Sequence, residues 1–499
     1  MPYLGIADAS GIQNYIFRNA ELRAIADASQ TIEKMCLSPN GLYYRCAAAH
    51  KTEVMIAAGG NASFRAIHLE DLKATFRAIS RELLEGGTGL EIIPAIVEYQ
   101  EGKLAEIYQQ AVRQLERRKL TQPRNTDFQF PGLERPAESV KREQRVTRKS
   151  GYVLPNDLSK MIAEEVDVKT DLMAIVSIDG LGMGSRLLKW MEQAQVKNIA
   201  DADFCTQFAL WSDSITDRWA LAWENALSKI EQVFEVNGNG KPTLKHQQRS
   251  LQFQQETDKE SRDYGAFYLP CRKIYQGGDD LSFVCDARIA LSLTAFIVRE
   301  LETLSVPEGV DDLFHSIPCS AGVLFTDSHF PFIRAVLLSE SVRKAAKKAS
   351  TLMHKDKMNN EGNPPSYLDW WLNRQGAMER PEPAFPGATQ KPYPLHTTEY
   401  ALFSWETLET DVLPGMWSQF ASARNKLKDL QAAAETGDPA AVRRQMELRP
   451  VAVAGHENPL TTLTFVAPFQ AESGFNVIGD STILLDVIEL YDIHFPFPR

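Results

Sequence analysis

The stretch Arg272-Lys273-Ile274-Tyr275-Gln276-Gly277-Gly278-Asp279-Asp280-Leu281-Ser282-Phe283-Val284 decides how this chain is read. Its flanks read as strands, and the paired glycines between them permit the tight reversal that makes a hairpin. The two aspartates that follow put adjacent carboxylates where divalent cations can be held against a triphosphate. A surface hairpin can carry the same four residues for conformational reasons alone, so the reading depends on what else the chain supplies.

It supplies a third carboxylate. The apolar run Leu172-Met173-Ala174-Ile175-Val176-Ser177-Ile178 ends in Asp179-Gly180. The run reads as a buried strand that delivers an acid to its C-terminal end, and Leu181 to Met191 as the helix that follows. Mg²⁺ takes hard oxygen ligands, so one carboxylate from a strand end and two from a neighbouring hairpin make a cage that substrate phosphates complete. Asp179, Asp279 and Asp280 are the expected metal ligands and catalytic residues, with Gly277 and Gly278 shaping the nucleotide-binding turn. The arrangement resembles the palm of nucleotidyl cyclases and polymerases.

The chain has 499 residues, 44% of them apolar, which is enough for several cored domains. A net charge of −11 argues against an extended nucleic-acid-binding tract and leaves room only for local basic patches. Six scattered cysteines without a C-x₂-C pair argue against structural zinc and for free thiols in a reducing compartment. Met1 to Phe17 lacks the pattern of a secretion signal, and no apolar run reaches the length of a membrane helix. A cytoplasmic enzyme without a membrane partner is expected.

Strand and helix patterns predict an α+β fold of two ferredoxin-like β-α-β-β-α-β units with helical insertions. The first unit occupies residues 1–120, a polar and proline-bearing linker or flap with the basic run Lys141 to Arg145 occupies 121–165, the second unit 166–352, and a mainly helical carboxy-terminal domain 353–499. In that last domain Trp370 and Trp371 read as packing residues in preference to a platform for a stacked base, and Trp405 to Leu430, Pro439 to Leu448 and Ser481 to Leu490 as helical. Gly59-Gly60-Asn61-Ala62 holds in the first unit the position of Gly277 to Asp280 in the second, which points to a duplicated palm with one copy stripped of both acids. Near the end of the second unit, Arg343 and Lys347 share one helix face, and Lys344 and Lys348 another; Lys347 is the expected phosphate contact.

With these residues in line, the chain resembles the large polymerase-cyclase subunit of type III CRISPR effector complexes, most like a stand-alone relative. Asp8-Ala9-Ser10-Gly11-Ile12-Gln13-Asn14-Tyr15-Ile16-Phe17 is similar to the entry of that family's first palm, and Ile178-Asp179-Gly180-Leu181-Gly182-Met183-Gly184 to the metal-binding strand end of the second. Gly277 to Asp280 matches the GGDD hairpin, and Ser320-Ala321-Gly322 with Glu340 to Lys347 the last strand and helix. The chain departs from the family at three points. Leu181 stands where the family has a second acid, no histidine is followed by the aspartate of an HD nuclease, and the zinc-binding cysteine group is missing.

The resemblance implies a nucleotidyltransferase that uses ATP and two Mg²⁺ or Mn²⁺ ions to make 3′–5′ linked cyclic oligoadenylate in antiviral defence, together with other protein subunits or a regulatory RNA. The alternative is a catalytically weak or inactive nucleotide-binding scaffold or regulatory subunit of a CRISPR-like ribonucleoprotein, and Leu181 is the residue that favours it. In the enzyme reading the active turn faces the first palm across a cleft, where Ser10, Asn61 and Ser63 are expected to shape an acceptor-nucleotide site through neutral hydrogen bonds.

Overall fold

The computed structural model describes residues 1–121, 151–304, 316–353, 364–435 and 484–496, interrupted at 11, 17–21, 37–38, 87, 166–170, 237, 239, 247–248, 262, 375, 382–388, 399–402, 421–423 and 492. The basic run Lys141 to Arg145 and the helix expected at Pro439 to Leu448 lie outside the described residues.

The amino-terminal sheet is built from β1 (Tyr3–Ser10), β2 (Glu53–Ala58), β3 (Asn61–Ala66) and β4 (Glu91–Glu98), in the order β2-β3-β1-β4 with every neighbour antiparallel. Helices α1 (Leu22–Cys36), α2 (Leu69–Glu85) and α3 (Leu104–Thr121) accompany it, with a short helix at Leu42–Ala49 that periodicity did not reveal. This is the ferredoxin-like order expected from sequence.

The second sheet repeats that order with β5 (Leu172–Gly180), β6 (Cys271–Gly277), β7 (Asp280–Asp286) and β8 (Cys319–Asp327), arranged β6-β7-β5-β8. Its helices are α4 (Met183–Val196), the long α5 (Asp201–Val233), α6 (Ala290–Thr303) and α7 (Phe332–Met353). β5 lies between β7 and β8, and Met173 through Gly180 are all buried, which is why its sequence is a continuous apolar run without alternation.

The sheet then continues beyond the expected boundary at 352. β9 (Tyr367–Asn373) pairs in parallel with β8, and β10 (Tyr393–Pro394) adds to its outer edge. Trp370 is fully buried there, stacked at 12° on Tyr393 and edge-on to Trp405. Packing consumes it, as its residue type suggested. Helices follow from Trp405, through α8 (Leu413–Phe420) and α9 (Arg424–Glu435), and α10 (Leu484–Tyr491) closes the described chain. Within the expected linker, residues 151–165 are also integrated: Met161, Ile162 and Ala163 are buried, and Glu164–Glu165 joins a small sheet with Arg249–Gln252, Pro242–His246 and Glu235–Val236.

Both main sheets contribute to both apolar cores. Leu4, Ile6 and Ala95 share one core with Ala174, Val176 and Ile178, whereas Ala7 and Phe64 share the other with Ile175, Val284 and Leu324. The alternation of side chains across each strand sends neighbours to opposite cores. This sharing holds the two palms in one body and brings their glycine turns together.

Candidate active site

Asp280 opens β7 directly across the ladder from Asp179, the penultimate residue of β5. The Gly180 N–H donates to the Asp279 carbonyl at 3.0 Å, which closes the hairpin tip onto the strand end. Position 180 has to be glycine for this approach, because a Cβ there would sit 2.9 Å from Met183 and 3.2 Å from the Cβ of Asp279. Gly278 supplies a φ of 60° for the turn, and Gly277 leaves room for the Tyr275 ring folded over it. The three sequence-predicted carboxylates therefore meet.

Their proximity has an electrostatic consequence. Burial first, and then the Asp179 charge, push the Asp279 carboxyl up to about 6. The same causes, with a hydrogen bond to Asp179 added, push Asp280 up to about 8. Against this accumulation stand two cations, since Arg343 Nη1 and Lys347 Nζ each lie 2.6 Å from Asp179 Oδ2.

The helix that carries them is docked closely. The Ser177 and Ser339 hydroxyls bond at 2.8 Å beneath it, and a Cβ built on Gly322 of β8 would lie 2.7 Å from the Arg343 Cα. With the backbone of α7 seated on the sheet, residues four apart on its inner face, Arg343 and Lys347, both reach Asp179. Lys344 and Lys348 are exposed on the other side.

A cavity of about 220 Å³ opens beside this cluster, lined by Gly180, Leu181, Gly182, Met183, Gly184, Asp279, Lys347, Thr351 and Pro364. Gly182, at φ 71°, starts α4 without a side-chain cap, so the first N–H groups of that helix are available to an anion. Leu181 is buried, and its N–H is taken by the Pro318 carbonyl at 2.7 Å.

Among the described residues, no group of three or more His, Cys, Asp and Glu side chains is arranged to hold a metal ion by itself. The donor set is nevertheless that of a hard divalent cation shared with a ligand: Asp179 and Asp280 are in hydrogen-bond contact, Asp279 adjoins them, and a cavity lined by Asp279 and Lys347 lies alongside. Mg²⁺ is ordinarily held that way, by one or two carboxylates plus phosphate oxygens.

The first palm corrects three expectations. Asp8 faces Asn61 across the ladder, and the Ala9 N–H donates to the Gly60 carbonyl at 3.1 Å, reproducing the Asp179–Asp280 and Gly180–Asp279 relations. Asn61 thus replaces Asp280 and Gly60 replaces Asp279, one residue out of step with matching the two glycine pairs directly. Asp8, which the sequence reading did not single out, takes the place of Asp179 and is paired with Lys119 of α3 at 3.2 Å.

Ser63 is not available to a ligand, because it is 1% exposed and faces Tyr108 under α3. Nor are the turns separated by a cleft at their tips: a Cβ on Gly59 would lie 3.3 Å from the Gly277 carbonyl carbon. Asn61 is exposed, and Ser10 is half-buried opposite Glu91. Arg343 is the site residue whose contact the sequence reading missed; its spacing of four from Lys347 was the available signal.

No protein-family profile matches the sequence, and no curated protein matches it. Solved structures do. The Csm1-Csm4 cassette in complex with cA4 superposes with a TM-score of 0.53 at 12% identity, over 98% of this chain and 70% of the matched one. The cassette in complex with AMPPNP gives 0.52 at 13% identity with the same coverage. The Csm1-Csm4 subcomplex of the type III-A CRISPR-Csm interference complex gives 0.50 at 13% identity, again over 98% and 70%. A likeness that spans nearly the whole chain assigns this protein the fold of Csm1 from type III CRISPR complexes.

Proposed function

We propose that this protein is a metal-dependent nucleotidyltransferase that joins ATP molecules through 3′–5′ linkages into cyclic oligoadenylate. One observation carries the reading: Asp179 and Asp280 stand face to face on adjacent strands, and Asp279 beside them lines a cavity together with a lysine and a helix N-terminus. Solved neighbours of the same fold are complexes with AMPPNP, cA3 and cA4, which supports nucleotide as the ligand class.

In this reading Asp179, Asp279 and Asp280 hold Mg²⁺ or Mn²⁺, which when bound supplies Lewis acidity at the attacking 3′-hydroxyl and neutralises charge on the departing pyrophosphate. The chain's own groups do the rest. The uncapped N–H groups at the start of α4 and the Lys347 ammonium bind and orient the phosphates. Leu181 and Met183, apolar in the cavity wall, keep water from competing with the hydroxyl. Asn61 and Ser10, in the adjoining first palm and outside the cavity lining, are the candidates for orienting the acceptor nucleotide. Other protein subunits are the expected partners, since the neighbours are Csm1-Csm4 assemblies.

The test is incubation of the full chain with ATP and Mg²⁺ or Mn²⁺, with products resolved by mass. Products that vanish when Asp279 and Asp280 are both replaced by alanine support the assignment, and an unchanged product pattern overturns it. A second reading, a nucleotide-binding scaffold without turnover, is favoured by Leu181 at the second acidic position of the family and by the two cations already on Asp179. AMPPNP binding without any product from ATP would select it.

A further inference from the structure

Two cations share a single carboxylate oxygen in the second palm, Arg343 Nη1 and Lys347 Nζ each at 2.6 Å from Asp179 Oδ2. They repel one another, and the neighbouring Asp279 carboxylate offsets part of that cost. Their positions are not equivalent. The Arg343 side chain is 15% exposed and its backbone is pressed against Gly322, so it is the more confined of the two. The Lys347 side chain is 46% exposed, lines the cavity, and has Asp179 as the one acid its ammonium is paired with among the described residues.

The first palm supplies an internal control. Lys119 makes the corresponding contact with Asp8 at 3.2 Å but is also tied to Glu116, three residues earlier, at 2.9 Å. Three residues before Lys347 the chain has Lys344, a like charge. One lysine is held from two sides, and the other is held from one and pushed from another. The long unbranched stem of Lys347 allows the ammonium to swing into the cavity while its backbone stays in the helix.

We propose that Lys347 is a displaceable placeholder. Without nucleotide its ammonium covers the face of Asp179 that a divalent cation needs; a nucleoside triphosphate entering the cavity draws the ammonium onto phosphate oxygens and frees that face. Arg343 remains on Asp179 throughout as a positioning residue. Cation and nucleotide binding are thereby coupled, so the carboxylates do not take up metal before a substrate arrives. The inference rests on the nucleotidyl-transfer reading of this site and adds to it a loading order.

The test uses Mn²⁺ alone as the probe, with free Mn²⁺ followed by electron paramagnetic resonance on the full-length protein in the absence of nucleotide. Lys347→Met is expected to tighten Mn²⁺ binding about tenfold, a usual scale for coupled sites, while Lys344→Met, which removes the same charge from the adjacent exposed face, shifts it by about twofold or less. In parallel, Lys347→Met is expected to weaken AMPPNP binding measured in EDTA, with cooperative unfolding retained in both variants and a small loss of melting temperature in Lys347→Met, whose charge offsets the acids. Equal Mn²⁺ affinity in the parent and Lys347→Met overturns the placeholder but leaves the transferase reading intact, provided that ATP still gives product. Equal tightening by Lys344→Met also overturns it, because the effect is then one of net charge. Absence of Mn²⁺ binding in every variant also overturns the placeholder, whereas the transferase reading falls only if ATP with Mn²⁺ or Mg²⁺ gives no product.

Discussion

Asp8 and Asp179 hold equivalent places in the two sheets, each near the end of the central strand and each across the ladder from the first residue of the strand that leaves the hairpin turn, Asn61 in one case and Asp280 in the other. The architecture is duplicated and the carboxylate cluster is not. One palm collects three acids against two cations, whereas the other keeps one acid against one lysine.

Asn61→Asp therefore places two carboxylates directly opposite each other in a palm built for one. Burial already holds the Asp8 carboxyl above its ordinary range. A loss of about 1 kcal/mol in urea unfolding is expected at neutral pH, because like charges facing across a ladder destabilise it. No loss would show that the first-palm turn tolerates a second acid.

Asp280→Asn has the opposite sign for stability and a large cost for activity. At neutral pH the folded chain must keep a proton on Asp280 that the unfolded chain releases, and asparagine removes that cost, so the melting temperature of the metal-free protein should rise. Turnover of ATP should fall by about a hundredfold or more, the scale seen when a preorganised electrostatic group is deleted. Calorimetry in EDTA and product assays on the same preparation check the two together.

Gly322→Ala tests the docking of α7. The added methyl would overlap the Arg343 backbone, so the helix must lift from β8. A loss of about 3 kcal/mol is expected, at the upper end of ordinary overpacking. In any fraction that still folds, nucleotide binding should weaken, because Arg343 and Lys347 move away from Asp179. Unfolding curves and AMPPNP titration read the two effects.

His396 gives the protein a pH signature away from the site. Its ring bridges Glu302 at 2.9 Å and Glu406 at 3.0 Å, and the hydrogen bond to Glu302, followed by that to Glu406, outweighs burial and pushes its pKa up to about 9. The native state therefore binds this proton more tightly than the unfolded chain. The bridge contributes its full stabilisation below the unfolded value of about 6.5 and loses it as pH rises through about 9. Melting temperatures of the parent and His396→Asn should converge across that window, and a constant gap would refute the assignment. The effect is modest because the imidazole is half exposed.

Much of the fold was legible because the deciding signals are local. The run from Leu172 to Ile178 has to be buried on both faces, and Gly277-Gly278 has to turn. Other features had no local signal. Asn61 and Ser63 are two apart and point to one face of β3, yet Asn61 lies at the hairpin tip in solvent while Ser63 is covered by Tyr108. Alternation gives the face, and only the reach of α3 decides which residues on that face are covered. β9 was likewise hidden among helical patterns, because Tyr367–Asn373 becomes a strand by pairing with β8.

From the sequence alone came the acids Asp179, Asp279 and Asp280, the duplicated β-α-β-β-α-β order, and the basic face of the helix that follows the last palm strand. These depend on residue type and on short-range periodicity, which a chain carries whatever its surroundings. Tertiary structure decided the one-residue offset between the two glycine turns, the contact of those turns, and the seating of Arg343 and Lys347 on a single oxygen of Asp179. Ladder register and helix docking set these, and both arise from contacts between segments far apart in the chain, whose geometry no local stretch encodes.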